Sequence, residues 1–407
     1  MRAFVAGAGF AGLAAADALR RAGVDVVVFE ARDRVGGRVW SQELPNGAVI
    51  ERGAEFILPG DSTIRATAER LGLRLFEKGT LYGDREPRGG VPVSRTDLLA
   101  AIATIRKAAA AGRLSGSVVD ALATLPIQAG AREAIRARIE VSTAYPAADQ
   151  DAAVLAEAGT GFGDFATHTV AGGNQQIALA LGRLLGPSIH LGAAVERVSW
   201  REGGVRVRAA GSEVAADACV VAVPASVIGR IVFDPELPAP TQAALRSVRY
   251  GQAAKLFLPL SEPAPPSQTL SVPERFWTFT QRSAAGDDPA PVAGSFAGTA
   301  AAVERLTAAG DPWAWIEAVR RLRPDLAVDA SGAVLSTWHD DPWVAAAYSA
   351  RSRSSPMDDE ELARPVGPIA FAGEHTAGRW HALMEGALRS GERAAADAME
   401  WTARLSP

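Results

Sequence analysis

The stretch RAFVAGAGFAGLAAADALRRAGVDVVVFEARDRVGGR, residues 2–38, limits what this chain can fold into more than any other. Residues 3–6 are apolar and suit a buried strand. Gly7, Gly9 and Gly12 follow as G-x-G-x-x-G, then a helix running to about Gly23, then a second strand, VDVVVFE, that ends at Glu30. The glycines answer separate needs: Gly7 a tight turn, Gly9 a close approach of backbone to a pyrophosphate, Gly12 close packing of helix on strand. The helix start offers N–H groups without intrahelical acceptors, which suit phosphate. Glu30 stands 18 residues beyond Gly12, where a carboxylate accepts hydrogen bonds from ribose hydroxyls and repels a 2′-phosphate. A glycine triplet alone is weak evidence. Strand, turn, helix, strand and terminal acid in this order predict an α/β, Rossmann-like dinucleotide-binding unit.

Length and charge bound the rest. A chain of 407 residues exceeds one ordinary domain, so two are expected, with interleaving allowed. The net charge of −4 without a basic block argues against a nucleic-acid partner. No apolar run reaches spanning length, the last residues WTARLSP carry no anchor, and a strand begins at once at the N-terminus. No membrane association and a cytoplasmic location are therefore expected. Cys219, in ACVVAVP, reads as a packed strand residue; one cysteine allows neither an internal disulfide nor a thiolate cluster. Histidines 168, 190, 339, 375 and 381 lack metal-ligand spacing, and no metal is expected. His168 and His381 are expected at the surface or behind the pocket wall. Lysine occurs only at 78, 107 and 255. Lys78 and Lys107 lie in charged or polar-faced segments and are expected to face water. Lys255 lies in the apolar run YGQAAKLFLPL, where burial of a charge is costly.

The remaining segments alternate. DSTIRATAERLGL, 61–73, reads as a helix with Asp61 or Ser62 as N-cap. Residues 94–158 are Ala-rich and mostly helical, with turns at Gly130 and Pro146. HTVAGGNQQIALALGRLLG gives a glycine turn at 172–173 and an amphipathic helix. A β run follows, with a hairpin at Gly203-Gly204, and EVAADACVVAVP reads as one buried strand ending at Pro224. Residues 255–298 alternate strands with Pro/Gly loops, 312–322 are helical, and GPIAFAGEHT is a last buried strand. The expected division is a nucleotide-binding domain of 1–74, 167–234 and 363–407, with a substrate domain of 75–166 and 235–362.

Beyond Glu30, the residues EARDRVGGR add Arg32, Gly36, Gly37 and Arg38, suited to a cofactor that runs on past its pyrophosphate. With ERGAEFILPG at 51–60, LGAAVERV, TWHDDPWVAAAYS and FAGEHTAGRWHALMEGALRSGERAA, the chain resembles the flavin monoamine oxidase family, as a soluble bacterial member. These segments span the whole chain in family order; 94–158 and 260–330 carry no specific match. The resemblance implies noncovalent FAD in a domain of the glutathione-reductase type, interleaved with an α+β substrate domain of mixed sheet plus helices. It also implies oxidation of an amine by hydride transfer from its α-carbon to flavin N5, with imine and hydrogen peroxide as products. A small-molecule amine and O2 are the partners, and the chain is expected as a monomer or homodimer.

The same resemblance implies cofactor contacts at Gly7, Gly9, Ala11, Gly12, Glu30, Ala31, Arg32, Gly37, Arg38, Gly53, Ala54, Glu55, Phe56, Val195, Trp343, Gly373, Glu374, Leu383, Met384 and Ala387. Met384, Glu385 and Ala387 would open the last helix against the flavin pyrimidine, where a helix N-terminus stabilises negative charge. Lys255 matches the family lysine that reaches flavin N5 through a water. Tyr348 matches one wall of the aromatic cage, with Trp338 and Trp343 packed beneath it. Two departures stand out. Ala347 occupies the position where some members tether FAD through cysteine, and Leu383 replaces the second cage aromatic, leaving Trp380 or Phe56 to complete the wall. The alternatives are a flavin desaturase or dehydrogenase of a hydrophobic intermediate and a redox-silent FAD-binding protein. An L-amino-acid oxidase would need an arginine for the carboxylate, and none stands out after Gly53.

Overall fold

The computed structural model describes residues 1–156, 165–284, 286 and 288–405. Its centre is a five-stranded parallel sheet in the order Ile369–Phe371, Ala218–Val221, Arg2–Ala6, Asp25–Phe29, Ile189–His190. Register is fixed by pairs such as Phe4 with Cys219 and Val27. Apart from Arg2, Asp25 and His190 at strand ends, the strands are apolar because both faces are covered. Ala3 and Val5 enter one core with Leu13, Leu19 and Leu388. Phe4 and Ala6 enter another with Val198, Val207 and Cys219. Cys219 is thus the packed strand residue expected, its thiol pushed up to about 12 by burial.

The first helix, Phe10–Arg21, and the last, Met384–Leu405, cover the first face side by side. Gly391 makes this possible: a Cβ there would lie 2.2 Å from the Ala11 carbonyl oxygen. The second face carries a four-stranded sheet in the order Ser212–Ala216, Gly204–Ala209, Val195–Arg201, Val232–Asp234. The expected single strand at 213–224 is therefore two. Ser212–Ala216 pairs with the hairpin, the chain crosses at Asp217, and Ala218–Val221 joins the parallel sheet.

A second sheet, of six strands, runs Val334–Thr337, Ala253–Pro259, Val292–Gly298, Phe276–Thr280, Ser267–Ser271, Glu86–Arg88. Helices Arg95–Ala110, Val118–Thr124 and Ala129–Thr143 pack beside it. Gly130 is not turn punctuation. It lies in the first turn of the third of these helices, where a Cβ would meet the Pro92 carbonyl oxygen at 2.5 Å.

The helix expected from 61 spans Ser62–Arg70. Asp61 holds the N-cap position, but its carboxylate accepts from the Leu58 N–H at 2.7 Å. The open N–H groups of Thr63 and Ile64 donate instead to Glu385, each at 2.9 Å. The fully buried Glu385 thus caps another helix, which corrects its expected place against a flavin. Among the described residues no helix is long and apolar enough to cross a membrane.

Candidate active site

One cavity of about 1170 Å³ joins the two sheets. Its wall includes Gly7, Gly9, Ala11, Glu30, Ala31, Arg32, Gly37, Arg38 and Val195 from the parallel sheet and its connections. It also includes Gly53, Ala54, Glu55, Phe56, Lys255, Trp343, Tyr348, Gly373, Glu374, Trp380, Leu383, Met384 and Ala387. Gly12 is not part of the wall. A Cβ on it would lie 1.9 Å from the Gly7 carbonyl oxygen, so it serves helix-on-strand packing, as expected. A Cβ on Gly9 would find only the Gly37 Cα at 3.9 Å. The first helix has Gly9 at its N-cap position and no side-chain cap, leaving its first N–H groups to a ligand. Glu30 is buried at the turn, its two oxygens accepting from the Ala8 N–H (2.7 Å) and Arg32 N–H (2.9 Å). Arg32 is paired in turn with Asp341 at 2.6 Å.

Arg38 faces Glu374 at 2.9 Å and donates to the Ala347 carbonyl at 2.7 Å. Glu374 also accepts from the Ser349 hydroxyl and the Ala382 N–H. Burial raises its carboxyl, but Arg38, His375 and these donors outweigh burial and hold it down to about 2. Its oxygens are thus engaged within the protein, so only its backbone is left for a ribityl or pyrophosphate contact. His381 lines the cavity, its Nδ1 3.3 Å from Ser349 Oγ, whereas His168 is turned to Arg65.

Lys255 is buried, as its apolar strand demands. Its ammonium donates to the carbonyls of Glu51 (2.5 Å) and Gly53 (2.9 Å) and to the Glu55 carboxylate. An ammonium has three donors, and all three have protein acceptors here. The other Glu55 oxygen accepts from Lys78. Lys78 does not face water: it is 1% exposed, with its nitrogen 5.0 Å from the centre of the Phe56 ring. The sequence hides this because Glu77 and Leu81 are outward-facing positions on a strand whose alternate face, at Lys78 and Thr80, is buried. Burial alone would raise the Glu55 carboxyl; Lys255 and Lys78 more than reverse this and hold it low. Glu51 behaves oppositely. Burial and the Glu55 charge push it up to about 7, against hydrogen bonds from Asn174 and Ser41 and the charge of Lys78.

Tyr348 donates its hydroxyl to the Ser142 carbonyl at 2.8 Å and packs on Ala144, Ala253, Ala347 and Phe296. Trp338 is not beneath it: its indole N–H donates to the Arg52 carbonyl at 3.0 Å and its ring lies against Gly53. Trp343 is half-buried in the cavity wall, 5.9 Å from the Arg230 guanidinium. Phe56 belongs to an aromatic cluster with Tyr82, Trp277 and Phe279 at 5.7–5.9 Å between ring centres. The sequence pointed to none of these three partners, nor to Arg85 among them, because they come from separate strands with no motif of their own. Among the described residues no cluster of His, Cys, Asp or Glu could hold a metal ion.

The residues fit a flavin dinucleotide. The glycine turn and uncapped helix suit its pyrophosphate, and the cavity exceeds the roughly 300–1,000 Å³ of an ordinary single-ligand pocket. This is the architecture of an FAD-dependent oxidoreductase, and the chain belongs to the flavin containing amine oxidoreductase family, matched over residues 10–98 and 133–399. AofH of Mycobacterium tuberculosis, assigned as a flavin-containing monoamine oxidase, is 29% identical over 97% of this chain and 95% of its own. The L-amino acid dehydrogenase of a Synechocystis strain is 26% identical over 96% and 93%. The structure of a redesigned putrescine oxidase superposes with a TM-score of 0.85 at 27% identity, covering 98% of this chain and 99% of that one. The cofactor is FAD, and the chemistry is oxidation of an amine.

Proposed function

We propose that the protein oxidises an amine at the carbon bearing nitrogen, with FAD held noncovalently and dioxygen taking up the electrons as hydrogen peroxide. The observation that supports this is the continuity of one cavity from the glycine turn to Lys255 and Tyr348. Bound there, FAD would supply the hydride acceptor. The division 1–74, 167–234 and 363–407 against 75–166 and 235–362 is the corresponding proposal for cofactor and substrate units. Noncovalent binding is supported by Ala347 beside Tyr348 and by the burial of Cys219 in a core on the parallel sheet.

The chain's own groups divide the work. Gly9, the first turn at Ala11 and Arg38 would hold the pyrophosphate, and Glu30 with Val195 the adenosine end. The start of the last helix, at Met384 and Ala387, would face the electron-rich edge of the ring. Tyr348, fixed by Ser142, would orient the amine, and Phe56, Trp380 and Leu383 would exclude water. Cationic side chains in this wall disfavour the ammonium form of a substrate and favour the reactive neutral amine. Lys255 would hold the backbone at Glu51 and Gly53 in place; to bind a water it must exchange one of those contacts. A small-molecule amine as partner, a cytoplasmic location and a monomer or homodimer complete the reading.

The purified protein should be yellow, acid should release its FAD, and an amine panel should bleach it without oxygen. A colourless protein, or a flavin that no amine reduces, overturns the reading. A Lys255→Met variant that reoxidises in air as fast as wild type removes Lys255 from oxygen chemistry.

A further inference from the structure

We propose that Arg85 forms an anion-binding subsite beside Tyr348, so that the amine oxidised here carries a carboxylate. This rests on the amine-oxidising reading above and specifies its substrate class. Arg85 lines the cavity and is 4% exposed. The half-buried arginines elsewhere in the wall are paired, Arg32 with Asp341, Arg38 with Glu374 and Arg351 with Asp359, while Arg230 and Arg379 are exposed to water. Among the described residues Arg85 has no carboxylate within ion-pair distance. One guanidinium nitrogen donates to Ser142 Oγ at 3.1 Å, and Nε is buried without an acceptor. Its other polar neighbours, the phenols of Tyr82 and Tyr348, carry no neutralising charge.

A buried guanidinium has five N–H donors to satisfy and a large desolvation cost to offset. Aromatic rings offset part of it: the guanidinium carbon lies 3.8 Å from the Trp277 ring centre and 4.7 Å from that of Tyr82. Those contacts also fix the guanidinium plane, which favours paired hydrogen bonds to a planar carboxylate.

Ser142 joins this subsite to the place proposed for the amine. Its hydroxyl takes the Arg85 hydrogen bond, and its carbonyl takes that of Tyr348 at 2.8 Å. One residue thus holds both groups, within the span of a small molecule bearing an amine and a carboxylate a few bonds apart. Phe56, Trp277 and Phe279 provide an apolar wall for the rest of that molecule. The two buried lysines nearby do not compete for the anion, because Glu55 lies between them. A diamine would bring a second ammonium toward Arg85 and be repelled.

The test uses the FAD-loaded protein and pairs of compounds differing in the anionic group: phenylalanine against 2-phenylethylamine, and 4-aminobutyrate against putrescine. The rate of anaerobic flavin bleaching per unit concentration should favour at least one carboxylate-bearing partner by about 10- to 100-fold. Arg85→Gln should collapse that ratio toward one, and Arg85→Lys should keep part of it. Separately, benzoate should quench tryptophan fluorescence saturably in wild type and about 10- to 100-fold more weakly in Arg85→Gln. A wild-type preference for both amines lacking the carboxylate overturns the proposal. So does a ratio, or a benzoate affinity, that Arg85→Gln and Arg85→Lys leave unchanged. If Arg85→Gln does not hold flavin, the wild-type ratio and the lysine variant decide. If no compound bleaches the flavin while benzoate binds through Arg85, the amine-oxidising reading fails and the anion subsite stands.

Discussion

Lys78 and Lys107 look alike in sequence and should respond to the same substitution in opposite ways. Lys78→Met removes one of two ammoniums that flank the buried Glu55 carboxylate. Breaking a buried pair costs roughly 3–5 kcal/mol. Glu55 keeps Lys255, and the methionine refills most of the space beside Phe56, so the lower end applies, about 3 kcal/mol. Unfolding entropy of about 2.1 cal/mol/K per residue gives roughly 0.85 kcal/mol/K for the whole chain. The melting midpoint should fall by about 3–4 °C if the chain unfolds as one unit. Lys107→Met, on an exposed helix face, should move it by less than about 1 °C. Differential scanning calorimetry at saturating FAD measures both. Equal midpoints for the two variants would show that the Lys78–Glu55 contact contributes nothing, and the charge argument for this cluster would fall.

Two further substitutions separate cofactor binding from folding. Gly9→Ala meets no atom closer than 3.9 Å and has an ordinary extended backbone, so the protein should fold normally and bind FAD at least tenfold more weakly by flavin fluorescence titration. Gly12→Ala forces a Cβ against the Gly7 carbonyl at 1.9 Å and should lower the melting midpoint or the yield of folded protein. Glu51→Gln should flatten the pH dependence of stability. Its folded value, about 7, lies above the ordinary 4.5, so its contribution is full below pH 4.5 and is lost as pH rises through 7. The stability of the variant relative to wild type should therefore rise between about pH 4.5 and 7 and then level off; a parallel pair of urea curves across that range refutes this.

The parallel sheet was legible because both of its faces are buried and its strands are apolar except at their ends, while Gly7, Gly9 and Gly12 each meet a separate steric need. The boundary at Asp217 was not, because Ser212–Ala216 and Ala218–Val221 have nearly continuous strand composition and differ only in their hydrogen-bond partners. Lys78 escaped for a related reason: alternation along Leu75–Leu81 says that one face is buried, not that a lysine stands on it. Glu385 looked like part of a cofactor contact because it shares a turn with Met384. Its side chain points instead to Thr63 and Ile64, more than 300 positions earlier in the chain. Arg85 was invisible for the plainest reason. Nothing around it in LYGDREPRGG announces that Tyr82, Trp277, Ser142 and Tyr348 will gather about it.

The parallel sheet also carries a consequence for biosynthesis. Its central strand is made within the first six residues, yet the neighbour that finishes one edge is Ile369–Phe371. The helix that locks it through Gly391 comes later still. During translation an early, largely apolar strand pair must therefore wait for more than 300 further residues, with sheet edges open to wrong partners. No nascent chain short of residue 387 contains the whole cavity wall, so the nucleotide seat cannot be completed until the start of the last helix has been made.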